Sequence, residues 1–221
     1  MYLSQLILNP RSREARRDAG DEYHMHSTLA RLFTDAPKAE KERRFEELTR
    51  AEKERVLFRI ERHADDGLVR VLVQSYRAPD FSKLPTGYCN TPPQTRNDYG
   101  EKLHALTPGQ TLRFRLRANP TIKQQGKRLG LREPAEQQAW LERKLREAGA
   151  ELLECRFMPH EVTQARKHKA NDETAPRQIH LGVVFEGALR VTNPEDFRKH
   201  IEAGLGSAKG YGFGLLSLAP A

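Results

Sequence analysis

Over residues 111–117 the chain alternates strictly, with Leu112, Phe114 and Leu116 on one side and Arg113, Arg115 and Arg117 on the other. Successive side chains of a strand point to opposite faces, so this period of two predicts a strand with an apolar inner face and three arginines outward. The segments before it set the fold that such a strand can join. Residues 2–8 are a second apolar-rich strand, stopped by Asn9-Pro10. A helical stretch follows to about Phe33, with a break near Gly20-Asp21. Residues 56–60 and 68–76 flank the turn signal Asp65-Asp66-Gly67 and read as a hairpin. Residues 79–84 fit one short helix, and 85–109 a long, turn-rich connection. Closed by residues 111–117, the order is β-α-β-β-α-β.

That order recurs. Residues 127–131 read as a short strand, and 134–148 as a helix with proline in its first turn, a Glu142–Arg146 pair at i, i+4 and Gly149 as its stop. Residues 151–157 and 178–191 are strands around a polar, basic insertion; 194–203 is a helix, and 213–218 closes the set. The expected class is α+β: two tandem ferredoxin-like (RRM-like, βαββαβ) domains at 1–118 and 127–221, joined by a linker at 119–126. A fold of this kind hosts many functions, so function must be argued from sites.

Charge narrows the partners. The 221 residues can bury a real core. Although 31% are charged, Leu, Val, Ile and Phe are spread throughout, as in a polar globular protein rather than a disordered one. No run of eighteen apolar residues occurs, and Met1-Tyr2-Leu3-Ser4 begins a strand rather than a signal peptide. Cys89 and Cys155 stand apart and form no Cys-x-x-Cys site, which points to a reducing cytoplasm. Thirty-eight Lys and Arg against thirty Asp and Glu give a formal charge of +8. The positive charge is segregated: Arg113, Arg115, Arg117, Lys123, Lys127, Arg128 and Arg132 occur with no acid among them, and Arg166, Lys167 and Lys169 form a second cluster around His168. Residues 41–62, by contrast, mix both signs as a solvated surface does. Segregated positive charge favours a polyanion and salt-dependent affinity, while the total alone also suits a merely basic soluble protein.

Near the end of the chain, Gly204, Gly206, Gly210, Gly212 and Gly214 surround Lys209. Glycines let successive N–H groups converge on one anion, so Gly206, Lys209 and Gly210 are candidates for a phosphate-backbone cradle, most naturally for RNA. The segment is not a P-loop, because no Gly-Lys-Ser/Thr and no helix follow. Lys209-Gly210-Tyr211-Gly212-Phe213 fits the start of the aromatic RNA-stacking signature of the RRM, but Gly214 and Leu216 break it. A flexible turn into a final strand is the plain alternative.

The candidate chemistry lies in Tyr23-His24-Met25-His26. At 100° per residue Met25, Leu29, Leu32 and Phe33 define a buried face, with His26 on its flank and Tyr23 three residues earlier on the same flank. An imidazole beside a phenol can move protons near neutral pH, which suffices for RNA cleavage by internal 2′-hydroxyl attack; the same position also suits a structural histidine. His24 and His26 do not share a helical face for a metal, no His-x-x-x-His or clustered acidic pattern surrounds them, and no Gly-x-Ser-x-Gly nucleophile elbow occurs. No cofactor is expected.

The run from Leu6 through Asn9-Pro10-Arg11-Ser12 to Asp18, followed by Tyr23-His24-Met25-His26-Ser27-Thr28-Leu29, resembles the CasE family, the CRISPR RNA-processing endoribonucleases of type I-E systems. Residues 109–120, Gly126-Lys127-Arg128, Phe185-Glu186-Gly187 and the tail from Gly212 to Pro220 match it in order, so the resemblance spans nearly the whole chain. It implies tandem ferredoxin-like domains, metal-independent cleavage of the repeat hairpin of CRISPR precursor RNA, and products with 2′,3′-cyclic phosphate and 5′-hydroxyl ends. It implies His26 as principal proton-transfer residue with Tyr23 its helper, base and acid unassigned. Lys209 would line the cleft, and Arg156, Arg166, Lys167 and Lys169 would grip the hairpin, as A-form RNA is read by shape and phosphates. Retention in the type I-E surveillance complex beside its other subunits is implied too, with no membrane involved. The rival reading is a non-catalytic RNA-binding subunit that holds guide RNA. A general single-strand binder would need stacking aromatics where residues 113, 115 and 117 are arginines.

Overall fold

The computed structural model describes residues 1–33, 55–62, 66–125, 127–165 and 178–221. The chain divides into two compact units, Met1–Gly100 with Gly210–Gly212, and Glu101–Lys209 with Phe213–Ala221.

In the first unit β1 (Tyr2–Ile7) is followed by α1 (Arg13–Gly20), α2 (Glu22–Arg31), β2 (Leu57–Glu61), β3 (Arg70–Ser75) and β4 (Gln94–Arg96). The sheet order is β2-β3-β1-β4, all neighbours antiparallel, with β1 and β3 in register from Tyr2↔Ser75 to Ile7↔Arg70. The expected hairpin is β2–β3. A 3₁₀ turn at Phe81–Lys83 stands where one short helix was expected. Leu6, Phe58, Ile60, Val71 and Val73 of the sheet pack against Met25, Leu29, Leu32 and Phe33, the apolar face read from helical periodicity. The break at Gly20-Asp21 has a physical cause: Asp21 is extended (φ −143°) and its carboxylate caps α2 by accepting from the N–H groups of Tyr23 (2.8 Å) and His24 (3.4 Å). A buried Asp18 ties the two helices together. Its carboxylate accepts from Thr28 Oγ1 (2.6 Å), Tyr88 OH (2.9 Å) and Arg17 Nε (2.8 Å), so the charge is fully compensated.

The second unit repeats this order with β5 (Thr111–Ala118), α4 (Pro134–Glu147), β8 (Ala150–Ala165), β9 (Gln178–Val191), α5 (Pro194–Ala203) and β10 (Leu216–Pro220). Its sheet order, β10-β5-β9-β8, places the first strand of the repeat between the third and fourth, as in the first unit. Both units are therefore ferredoxin-like. The short helix α3 (Tyr99–His104) spans the boundary in sequence, and β6 (Thr121–Gln124) pairs with β7 (Lys127–Gly130) in a separate two-stranded ribbon. Trp140 of α4 stacks on Phe185 of β9 (6.2 Å between centroids, 19°). Gly187 of β9 lies where a Cβ would sit 1.8 Å from the Glu154 carbonyl oxygen, beside the bulge in β8, so only glycine fits.

Four sequence expectations shift. The strand at 111–117 opens the second unit rather than closing a 1–118 domain: Leu112, Phe114 and Leu116 lie across from Leu189, Gly187 and Phe185 of β9, and β4 takes the closing place in the first sheet. Residues 127–131 do not begin the second sheet but pair back on 121–124, within the expected linker. Arg117 is buried, not outward, because Phe213 covers that end of β5 and the guanidinium stacks 4.6 Å above its ring. The last strand begins at Leu216, leaving Phe213 as a core residue.

Candidate active site

Helix α2 has its core-facing positions filled by Met25 and Leu29, and His26 emerges one step round on the flank. Its ring packs at a tilt on Phe58 of β2 (6.0 Å, 33°). From the other side comes Gly210: a Cβ there would lie 3.6 Å from Cε1 and 3.7 Å from Nε2 of His26. Phe58 and the Gly210 turn are thus both neighbours of the imidazole. Desolvation disfavours its cation and pulls the pKa from 6.5 down to about 4. At neutral pH His26 is therefore an uncharged imidazole with a lone pair to accept a proton.

Tyr23 lies one helical turn before His26, on the first turn of α2 where the Asp21 cap fixes the backbone, and meets His24 edge-on (6.0 Å, 70°). Tyr211 joins the same neighbourhood through the 3₁₀ turn Lys209–Tyr211. Burial raises the pKa of its phenol first, and the charges of Tyr23 and Asp21 raise it further. The structure thus places Gly210 beside His26, with Tyr23 one helical turn earlier on α2. It adds Tyr211, which sequence pattern offered only as a piece of a broken stacking signature; its signal was the glycine on either side of it.

The other cradle residues have local engagements. Gly206, at φ +83°, abuts Trp140, whose ring would lie 3.1 Å from a Cβ there. Lys209 donates from Nζ to the carbonyl oxygen of Ala203 (2.6 Å), the last residue of α5, where a cation complements the helix dipole.

The basic candidates of the second unit divide into two groups. On the ribbon, Lys123 and Arg128 are exposed and directly opposite one another, and Lys127 is in register with Gln124. Like charges facing across strands repel, so this pairing is unfavourable until an anion joins it. On the solvent face of the main sheet, Arg115, Glu186 and Arg156 form one cross-strand row, and Arg113 lies on the same face. There Arg115 pairs with Glu186 (2.8 Å) and Arg156 with Glu154 (3.2 Å). Arg113, Arg115, Glu186, Gly187, Ser217 and Ala219 line a shallow depression on that face. Arg166, Lys167 and Lys169 lie outside the described residues. No helix among the described residues is long and apolar enough to cross a membrane.

The family model of the CRISPR associated protein matches residues 1–220. The chain is 39% identical over 229 residues to the CRISPR-associated endoribonuclease Cse3 of Thermus thermophilus, covering 100% of both chains. It is 30% identical to the CRISPR system Cascade subunit CasE of Escherichia coli, again over 100% of both. Among solved structures it is similar to Thermus thermophilus Cse3 bound to an RNA representing a pre-cleavage complex. That match has a TM-score of 0.80 at 38% identity, over 99% of this chain and 98% of the other.

Proposed function

The chain belongs to the CasE/Cse3 family of CRISPR associated proteins, and from that premise we propose that it is an endoribonuclease that binds the repeat hairpin of CRISPR precursor RNA and cuts it into guide RNA. The observation that carries the reading is a desolvated, neutral His26 one helical turn from Tyr23. The 2′-hydroxyl beside the scissile phosphate is the nucleophile. His26 accepts its proton as the 2′-oxygen bonds to phosphorus. The bond from phosphorus to the 5′-oxygen breaks, and the Tyr23 phenol gives that oxygen a proton. The products carry a 2′,3′-cyclic phosphate and a 5′-hydroxyl, and proton exchange with water restores both side chains. The step balances without a cofactor.

RNA is held by charge outside this site. Lys123, Lys127 and Arg128 of the ribbon, Arg113, Arg115 and Arg156 of the sheet, and Arg166, Lys167 and Lys169 of the insertion meet phosphates along the hairpin. Gly206, Lys209 and Gly210 set the loop and cradle phosphate, with Gly210 next to His26. The naming of the E. coli relative as a Cascade subunit supports assembly with the other subunits of a surveillance complex. It equally favours a second reading, a subunit that holds guide RNA without cutting it.

Incubating the protein, in excess EDTA, with its repeat RNA and with the same RNA carrying a 2′-deoxy substitution at the cut separates the two. Cleavage of the unmodified strand alone is expected. Tight binding of both strands with cleavage of neither would leave the holding role.

A further inference from the structure

We propose that Tyr211 is a third functional group of the cleavage site, its phenol donating a hydrogen bond to a non-bridging oxygen of the scissile phosphate. The inference rests on the endoribonuclease reading and says how that site stabilises charge. Its geometric basis is the loop. A Cβ built on Gly210 would lie within 3.6–4.0 Å of the His26 ring, so the next residue along the chain leaves the turn beside the imidazole. Residues Gly210–Gly212 cluster with the first unit, the unit of Tyr23 and His26, although their sequence neighbours belong to the second. Tyr211 is half-buried there, within the electrostatic reach of Tyr23 and Asp21.

The chemistry supplies the need. As the 2′-oxygen attacks, the phosphorane gains negative charge on its non-bridging oxygens, and donors aimed at them are what such a site requires. A neutral His26 brings no cation to the resting site. The Lys209 ammonium is turned onto the Ala203 carbonyl. With His26 and Tyr23 engaged in the two proton transfers, a further donor would lower the cost of that charge. Tyr211 is placed to supply one, and burial favours its protonated form. A phenol held in its neutral form can donate throughout the pH range in which His26 acts as base.

The test is Tyr211→Phe, which keeps the ring and removes only the donor. Single-turnover cleavage at saturating protein is expected to slow by roughly 10- to 100-fold, with the RNA dissociation constant unchanged within about twofold. A structural role would not move the second readout. RNA with one non-bridging oxygen at the cut replaced by sulfur, as separated diastereomers, is expected to be cut by the wild type with a preference between the two. Tyr211→Phe is expected to lose much of that preference. Equal urea midpoints for the two proteins support attribution of the change to the donor. Wild-type cleavage matched by Tyr211→Phe, or a slower variant that keeps the full diastereomer preference, overturns the role of Tyr211 and leaves the endoribonuclease reading standing. A wild-type protein that binds the hairpin and never cuts it overturns both.

Discussion

Two regions of this molecule face RNA chemistry in opposite ways. Around His26, which has Phe58 and Gly210 as neighbours, burial removes water from one ionisable group and lowers its pKa. On the ribbon and the outer face of the second sheet, charges stay in water. There Lys123 confronts Arg128, while Arg115 and Arg156 are partnered by glutamates. Desolvated groups act at short range and are indifferent to salt; exposed charges act collectively and are screened within about 8 Å at physiological ionic strength. Cutting and gripping should therefore come apart under mutation, pH and salt.

The sharpest break is His26→Ala. Removing a positioned base costs typically about 10²- to 10⁴-fold, and single-turnover cleavage should fall by that order while hairpin affinity stays within about twofold. A parallel loss of affinity would show that His26 belongs to the grip as well. The second lever is pH. An unfolded histidine takes its proton near 6.5, but His26 in the fold takes it only near 4. Between those values the unfolded state binds more protons, so stability should fall as pH drops from 6.5 to 4, by at most about 3 kcal/mol. Urea unfolding at pH 7, 5.5 and 4.5 should show this slope, and His26→Gln should flatten it. The same shift places the acidic limb of cleavage near pH 4 rather than 6.5; a limb at 6.5 would mean that the base is another group.

For the grip, Lys123→Gln with Arg128→Gln should weaken hairpin binding by about tenfold and lower the slope of log K against log salt by about 2, one per lost phosphate contact. Cleavage at saturating protein should be unmoved. An unchanged salt slope would take the ribbon out of the grip.

The sequence displayed these regions unequally, for physical reasons. Tyr23 and His26 were legible because helical spacing alone puts them on one flank; at Asp21 the sequence marked only a break, and its capping of α2 emerged with the fold. The depressed pKa was not, since it comes from burial in the folded chain, where the neighbours of His26 include Phe58 and Gly210, remote in sequence. Among strands, β5 and the β2–β3 hairpin were visible in period-two patterning. Gln94–Arg96 is only three residues long and fully exposed, so it carries no pattern. Missing it moved β5 to the wrong unit and shifted the boundary between the domains. The alternation that placed Arg117 outward was correct about its side of the strand; only the arrival of Phe213 over that side buries it.

The finest discrimination concerns arginines already paired. Arg115 and Glu186 meet at 2.8 Å with both side chains 36% exposed, a pair worth at most about 1 kcal/mol to the fold. Its larger consequence is for binding, because Glu186 cancels the charge that a phosphate would meet and adds repulsion of its own. If that sheet face holds RNA, Glu186→Gln should tighten the hairpin by about two- to fivefold at low salt and steepen the salt dependence, with little change in stability. Glu154→Gln should do the same through Arg156, and less strongly, since that pair is longer and more exposed. Unchanged affinity in both would assign the paired arginines to the sheet's own cross-strand network and leave the grip to the ribbon and the basic insertion. Within the second unit, then, exposed charge would divide between residues that are neutralised by their neighbours and residues held opposite a like charge, and only the latter would wait for RNA.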